Sequence, residues 1–300
     1  MPRSTRTPYP FALAATLALA MITPAAGAAH AQPEAEANPA YVALGDSFAA
    51  GFAILPLSPT TTGICGRSAI NYPSLVAKAL NVTRFRDVTC AGATTHSLAG
   101  FQPDPMGLQP AQPPQYNALT PDTTLVTLGM GGNDIGLVEL GVACINPLPE
   151  SMGTSCAEIN TAGGRDRIGE RIEALAPTYG TVFAEIRRRS PLAHIVLVGY
   201  PVGIRPDGCA GDQPVQAQDA TYLQSKLDQL NTVMAAQAAE HDVTFISLTA
   251  STRGHDACAA LDQRWMVGAL PSTPDAIAPL HPNAAGHANT AQQVLAGLQR

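Results

Sequence analysis

The sequence predicts an α/β fold, a single-domain three-layer α/β/α sandwich around a central, mostly parallel five-stranded sheet. Five short apolar runs alternate with segments of helical periodicity, and their continuous apolar character is typical of strands covered on both faces. The predicted strands are residues 41–44, 85–90, 124–128, 194–199 and 243–248. The predicted helices are residues 72–80, 165–189, 219–241 and 283–298, and Pro177 is expected to kink or split the second of them.

The composition narrows the class of protein. Only 13% of the 300 residues are Asp, Glu, Lys or Arg, against about 25% in an average soluble chain. A net charge of −6 argues against a nucleic-acid partner, which needs a basic surface to displace counterions from phosphates. Hydrophobic residues make up 46% of the chain, and this argues against disorder.

The N-terminus has the pattern of a signal peptide. Two arginines precede an apolar run at residues 11–22, and small residues follow, ending in an A-x-A-type site at Ala31. An uncleaved anchor is the alternative, but the run of about 12 residues is short against the roughly 20 needed to cross a bilayer. We therefore expect a signal peptide at 1–31, a disordered lead-in at 32–40 and one domain at 41–300. The product should be secreted and monomeric, without stable membrane insertion.

The six cysteines all follow the predicted signal peptide, and none forms a C-x-x-C pair. An even number in an exported chain suggests three disulfides. The simplest pairing joins neighbours, but six cysteines allow fifteen pairings and the sequence leaves the choice open. The neighbour pairs are Cys65–Cys90, Cys144–Cys156 and Cys209–Cys258.

Unusual polar and glycine-rich tails follow three of the predicted strands, at residues 45–47, 90–94 and 131–134. Chemistry in doubly wound sheets collects beyond the carboxyl ends of the strands. These tails bring Ser47 and Asn133 to one edge of the predicted sheet. We expect the functional site there.

Each candidate residue also has a purely structural interpretation. Ser47 could cap a helix, Asn133 could occupy a left-handed turn, and His281 could lie on the surface before a helix. Ala49 departs from the G-x-S-x-G elbow of α/β-hydrolases. The glycine run near Asn133 lacks the Lys of a phosphate-binding loop, so a nucleotide site is not expected.

Four blocks taken together resemble the SGNH (GDSL-type) hydrolase family. They are Gly-Asp-Ser at 45–47, Gly92, Gly-Gly-Asn-Asp at 131–134 and His-Pro-Asn at 281–283, in the order the family has them. The resemblance covers about residues 41–298 and implies the flavodoxin-like version of the predicted fold. The cysteines are similar to those of the secreted actinobacterial lipase and esterase branch, which implies the neighbour pairing.

The resemblance implies roles for these residues. Ser47 would be the nucleophile and His281 its general base. The N–H groups of Ser47 and Gly92 and the side-chain amide of Asn133 would form an oxyanion hole. No cofactor and no metal are implied.

One position departs from the family pattern. The family usually has an Asp three residues before the catalytic His, and here that residue is Ala278. We expect the main-chain carbonyl of Ala278 to orient the ring of His281, with the carboxylate of Asp275 as the alternative. Asp46 and Asp134 are expected to fix the turns around Ser47 and Asn133.

The resemblance implies a carboxylic ester hydrolase acting on a small-molecule or lipid ester through an acyl-enzyme. The apolar, Pro-rich loops at 52–64 and 101–116 could line an acyl groove. A carbohydrate acetylesterase, a phospholipase or an acyltransferase would use the same residues. From a different class, the alternative is a non-catalytic secreted binding protein. His287 and Trp265 are expected to have packing roles, with Trp265 alternatively lining the pocket.

Overall fold

Five strands form the centre of the fold. The computed structural model describes residues 39–105, 107–149, 152–270 and 278–299. The strands are β1 (Ala40–Gly45), β2 (Arg84–Asp87), β3 (Leu125–Gly129), β4 (His194–Val198) and β5 (Thr244–Ile246). They form one sheet in the order β2-β1-β3-β4-β5, and every neighbouring pair is parallel. All five predicted strands are present, within a few residues of their predicted bounds.

Ten α-helices connect and cover these strands in the described ranges. They are α1 (Ser47–Ala50), α2 (Tyr72–Ala79), α3 (His96–Ala99), α4 (Gly132–Ile135), α5 (Leu137–Ala143), α6 (Cys156–Thr161), α7 (Arg167–Arg189), α8 (Ala217–Glu240), α9 (Thr249–Thr252) and α10 (Ala284–Leu298). Pro177 lies inside α7, which runs as one helix of 23 residues, so the predicted split is wrong. Buried apolar residues continue along the helix on both sides of Pro177, and their packing offsets the hydrogen bond that proline removes.

The two faces of the sheet are covered by different helices. Side chains of β1, β3 and β4 that point to one face pack with the buried stripes of α7 and α8. Those that point to the other face pack with α2 and α10. This alternation along parallel strands gives the three layers, and it confirms the predicted sandwich.

Three disulfides tie loops of this sandwich together. They are Cys65–Cys90, Cys144–Cys156 and Cys209–Cys258, the neighbour pairing implied by the family resemblance. The first joins the loop after α1 to the loop after β2, and the third joins the loops after β4 and β5. The first and third disulfides therefore fix segments at the carboxyl edge of the sheet.

The strand order creates a crevice at one point of that edge. The chain runs outward from β1 to β2, then returns to β3 on the opposite side of β1. The loops that leave β1 and β3 run to opposite sides and separate at this point. Doubly wound folds bind their ligands in the crevice at such a switch point.

The predicted signal peptide at 1–31 lies outside the described residues, as does most of the lead-in at 32–40. Ala40 already belongs to β1, one residue before the predicted start of the domain. Within the described ranges, no helix combines the length and the hydropathy needed to cross a membrane.

Candidate active site

Ser47 is the first residue of α1, immediately beyond β1. The carboxylate of Asp46 accepts a hydrogen bond from the N–H of Phe48 at 2.9 Å, so Asp46 caps the helix and the Ser47 hydroxyl does not. The preceding Gly45 is required by close packing, because a Cβ there would lie 2.6 Å from the carbonyl oxygen of Gly129. This tight turn holds a serine that is 5% exposed at the switch point.

The structure brings His281 to Ser47 from the far end of the chain. Its Nε2 lies 2.8 Å from Ser47 Oγ, and its Nδ1 lies 2.8 Å from the carbonyl oxygen of Pro279. A carbonyl can only accept, so Nδ1 carries the proton and Nε2 has the free lone pair. Nε2 therefore accepts from the Ser47 hydroxyl, which is the arrangement a general base requires.

The predicted orienting group, the carbonyl of Ala278, is wrong by one residue. Pro279 supplies the carbonyl, because Leu280 has a left-handed φ of +60° and turns the chain between that carbonyl and the ring of His281. The alternative, Asp275, lies outside the described residues.

Neighbouring segments hold the His281 loop in place. The N–H of Val267 donates to the carbonyl of His281 at 2.9 Å, and the N–H of Asn283 donates to the carbonyl of Trp265 at 2.9 Å. The Asn283 side chain then caps α10 by accepting from Gly286 at 3.1 Å. The ring of His281 is thus fixed from both sides of its own loop.

Burial lowers the pKa of His281 below its usual 6.5, and the hydrogen bond to Pro279 opposes that shift in part. The ring is 8% exposed and packs against Phe48, with 4.9 Å between ring centroids. An imidazole with a lowered pKa is neutral at neutral pH, and this is the form that can accept a proton from a serine.

Gly92 lies in the loop after β2, beside the Ser47 turn. The N–H of Cys90 donates to the carbonyl of Gly45 at 3.0 Å, so the loop is attached to the end of β1. Gly92 has a left-handed φ of +76°, which favours glycine. In the part of the chain that the structure describes, the N–H groups of Ser47 and Gly92 donate to no other residue. Both remain available to a ligand.

Asn133 is the second residue of α4, just beyond β3. Its side-chain Nδ2 donates to the carbonyl of Ala93 at 2.9 Å. Next to it, Asp134 accepts from the N–H of Thr95 at 3.0 Å and from the Thr95 hydroxyl at 2.5 Å. Asp134 therefore fixes the Gly92 loop rather than the turn around Asn133. These bonds draw the Asn133 amide toward Gly92.

Tyr200 joins the turns of Ser47 and Asn133, and the sequence reasoning missed it. Its hydroxyl donates to Asp46 Oδ2 at 2.6 Å and accepts from the N–H of Gly132 at 2.7 Å. Its backbone is held at both polar atoms by the Asn231 side chain, at 2.8 and 2.9 Å. Tyr200 lies two residues beyond β4, so the rule about carboxyl ends of strands applied to it as well.

Burial also raises the pKa of Asp46 to about 7, although the hydrogen bonds from Tyr200 and Phe48 lower it. The nearby carboxylate of Asp134 adds a smaller rise. The capping carboxyl therefore titrates near neutral pH.

An apolar pocket opens beside Phe48 and His281. It lies between α5, α8 and the loops that follow β4 and β5. Its apolar wall includes Leu137, Val138, Ile204, Val215, Leu227 and Met266. The loops at 52–64 and 101–116 do not contribute to this pocket within the described residues, so their role in lining an acyl groove stays a prediction that this pocket does not support. They border a separate, more polar cleft near Arg67 and Gln112.

Two other residues have packing roles, as expected from the sequence. His287 is 1% exposed, and its Nδ1 accepts from the N–H of Tyr72 at 3.0 Å, which ties α10 to the start of α2. Burial lowers its pKa to about 3. Trp265 stacks on His255 with 3.5 Å between ring centroids.

Comparison with known proteins identifies the family of this chain. The model of the GDSL-like Lipase/Acylhydrolase family matches residues 43–288. Lipase 2 of Streptomyces coelicolor is 33% identical over 276 residues, which cover 89% of this chain and 88% of that protein. An esterase of Streptomyces scabiei is 30% identical over 283 residues, covering 84% of this chain and 80% of that protein.

Solved structures give the same result. An extracellular lipase of Streptomyces rimosus superposes with a TM-score of 0.69 at 26% identity, covering 86% of this chain and 98% of that one. A phospholipase A1 of Streptomyces albidoflavus gives a TM-score of 0.68 at 27% identity, covering 87% and 99%. The chain therefore belongs to the GDSL-like lipase/acylhydrolase family, and it is a carboxylic ester hydrolase.

Proposed function

We propose that this protein is a secreted serine esterase that hydrolyses esters of apolar acyl chains through an acyl-enzyme on Ser47. The observation that carries the proposal is the 2.8 Å contact between Ser47 Oγ and His281 Nε2, beside an apolar pocket. A serine hydroxyl is a weak nucleophile until a neighbouring base takes its proton. The contact supplies that base in the correct tautomer.

The first half of the reaction forms the acyl-enzyme. Ser47 Oγ attacks the ester carbonyl carbon while its proton moves to His281 Nε2. The tetrahedral intermediate then collapses, the bond to the alcohol oxygen breaks, and His281 returns the proton to the departing alcohol. In the second half, water attacks the acyl carbon with His281 as the base, and the free acid leaves as Ser47 regains its proton.

The oxyanion of the intermediate needs donors that are already in place. We assign this role to the N–H groups of Ser47 and Gly92 and to the amide of Asn133. The first two donate to no residue in the described ranges, and the Asn133 amide is held by its bond to Ala93. Losing one such donor typically costs about 2.7–4 kcal/mol of transition-state stabilisation.

The carbonyl of Pro279 is proposed to complete a Ser–His dyad. It fixes the ring of His281 by accepting from Nδ1. A neutral carbonyl supplies orientation but less stabilisation of the imidazolium than a carboxylate does.

The apolar pocket supports a medium or long acyl chain, because burial of each CH₂ contributes about 0.8 kcal/mol. The test is turnover of chromogenic esters of increasing acyl length by the purified mature protein. Activity should rise beyond acetate and disappear in Ser47→Ala. A maximum at acetate would favour a carbohydrate acetylesterase, and full activity of Ser47→Ala would refute the proposed nucleophile.

Phospholipid is a second candidate substrate, favoured by the similarity to the Streptomyces albidoflavus phospholipase A1. Vesicles of phosphatidylcholine with different acyl chains at its two positions provide the test. Selective release of the sn-1 acid would support it. Hydrolysis of simple esters without release from vesicles would exclude it.

We further propose that the chain is exported as a monomer after cleavage near Ala31. The three disulfides support an oxidising compartment, and the similar Streptomyces rimosus lipase is described as extracellular. The mass of the protein recovered from culture medium tests the cleavage site, and light scattering tests the monomer. Retention of residues 1–31 in the exported protein would contradict the proposed cleavage.

A further inference from the structure

Gln213 is the one polar side chain besides His281 among the described residues that line the apolar pocket. It is 3% exposed, on the loop between β4 and α8. A buried amide in an otherwise hydrocarbon wall costs free energy unless its donors and acceptor find partners. Its hydrogen bonds therefore indicate what the pocket is built to hold.

The amide is held firmly at one end. Its Oε1 accepts from the N–H of Ala269 at 2.8 Å. The plane of the amide lies against Gly268, where a Cβ would come within 2.2 Å of Oε1 and 2.3 Å of Nε2. The backbone N–H of Gln213 donates to the carbonyl of Cys209 at 2.9 Å, and Cys209 is fixed by its disulfide to Cys258. The orientation of the amide is thus determined by the protein alone.

The other end of the amide is free. The atom that accepts from the N–H of Ala269 must be the amide oxygen, because an NH₂ group cannot accept. The other terminal atom is therefore the nitrogen, Nε2. No acceptor for Nε2 is present among the described residues. A saturated hydrocarbon chain in the pocket would exclude water and leave these N–H groups unpaired.

We infer that Gln213 Nε2 selects acyl chains carrying an oxygen acceptor, so that the preferred substrates are oxo- or hydroxyacyl esters rather than saturated ones. This inference rests on the proposed serine esterase and deepens its substrate class. A site built to donate to a substrate oxygen discriminates against analogues that lack it, because its buried donor is then left unpaired.

The experiment uses a saturated medium-chain chromogenic ester and analogues in which one keto oxygen is moved along the chain, carbon by carbon. A keto oxygen only accepts, so it reports donation from the protein. The mature enzyme should show a peak in kcat/KM at one keto position, about tenfold above the saturated ester.

Two variants remove the donor in different ways. Gln213→Leu deletes the amide, and Gly268→Ala keeps it but displaces it through the new Cβ. Both should flatten the keto profile, measured as kcat/KM for each keto ester divided by kcat/KM for the saturated ester of the same variant. Val138→Ala is the matched control, because it changes an apolar residue of the same wall and should leave the keto peak in place.

The outcomes separate this inference from the proposed function. A flat keto profile in an enzyme whose activity needs Ser47 would overturn the role of Gln213 alone. A peak that survives in both Gln213→Leu and Gly268→Ala would also overturn it. Ester hydrolysis that survives Ser47→Ala would instead refute the proposed function.

Discussion

Tyr200→Phe removes a hydroxyl that connects the Ser47 turn to the turn carrying Asn133. The ring remains, including its edge-on contact with Phe48 at 5.1 Å. Two hydrogen bonds disappear, to Asp46 Oδ2 at 2.6 Å and from the N–H of Gly132 at 2.7 Å. The substitution therefore tests whether this link positions the reacting groups.

The expected magnitude follows from those two bonds. A buried bond to a charged group contributes about 1.5–3 kcal/mol, and an orphaned buried N–H costs about 1–3 kcal/mol. The two are not additive, and we expect the free energy of unfolding to fall by about 2–4 kcal/mol. If the Asn133 donor shifts relative to Ser47, part of an oxyanion contact is lost and kcat should fall about 10- to 100-fold. KM should change little, because Tyr200 does not line the apolar pocket.

The assays are kcat and KM on a chromogenic ester and the free energy of unfolding at several pH values. Asp46 has a pKa of about 7, and the Tyr200 bond lowers that pKa. In Tyr200→Phe the pKa of Asp46 should therefore be higher than in the wild type. The loss of unfolding free energy relative to the wild type should be smaller at pH 5, where Asp46 is protonated in both proteins, and larger at pH 8.

Tyr179→Phe is a matched control for this variant. The Tyr179 hydroxyl donates to the carbonyl of Met130 at 2.9 Å near the same turn, but it does not bond to Asp46. Its stability deficit should therefore not depend on pH in the same way. An unchanged kcat in Tyr200→Phe, or a deficit equal at pH 5 and pH 8, would refute the positioning role.

Three further predictions concern the same groups. Asp275→Asn should leave kcat within several-fold, because Pro279 already accepts from His281, and a loss of about a thousandfold would mean that Asp275 belongs to a triad. The acid limb of the kcat/KM profile should lie below pH 6.5, since burial lowers the pKa of His281, and a limb above that value would contradict it. Asp46 has a folded-state pKa of about 7 against about 3.9 unfolded, so its contribution to stability is complete below pH 4 and is lost as the pH rises through 7. Denaturant unfolding should show wild-type stability falling between pH 5 and 8 by about 2–3 kcal/mol more than that of Asp46→Asn, and equal slopes would argue against the raised pKa.

The fold could be predicted because its signals are local. Buried parallel strands have to be apolar over their whole length, and the apolar runs therefore lay within a few residues of all five strands. The effect of Pro177 could not be predicted this way. Whether a proline interrupts a helix depends on how strongly the flanking turns are packed, and packing is a property of the tertiary structure.

Part of the candidate site could be predicted, because its residues occur at recognisable places relative to the strands and helices. Ser47, Gly92 and Asn133 all follow strands, and His281 precedes a helix, so motif spacing grouped them as candidates, and the structure places Ser47 Oγ 2.8 Å from His281 Nε2. The apolar pocket could not be predicted from the sequence, because its wall is assembled from α5, α8 and two distant loops. Its lining residues look like ordinary core residues in the sequence, whereas the Pro-rich loops at 52–64 and 101–116 border the separate, more polar cleft.

The structure replaces the expected carbonyl of Ala278 with that of Pro279, and this depends on the positive φ of Leu280, a backbone torsion that the sequence does not reveal. That torsion also affects which groups stabilise the transition state. A carbonyl orients the His281 ring but stabilises the imidazolium less than a carboxylate would, and burial disfavours the same cation. In the proposed Ser–His dyad, we therefore expect more of the transition-state stabilisation to come from the oxyanion hole. On that side of the site Asp46, Tyr200 and Gly132 form a buried, continuous set of hydrogen bonds, so rigidity is concentrated where the missing charge has to be compensated.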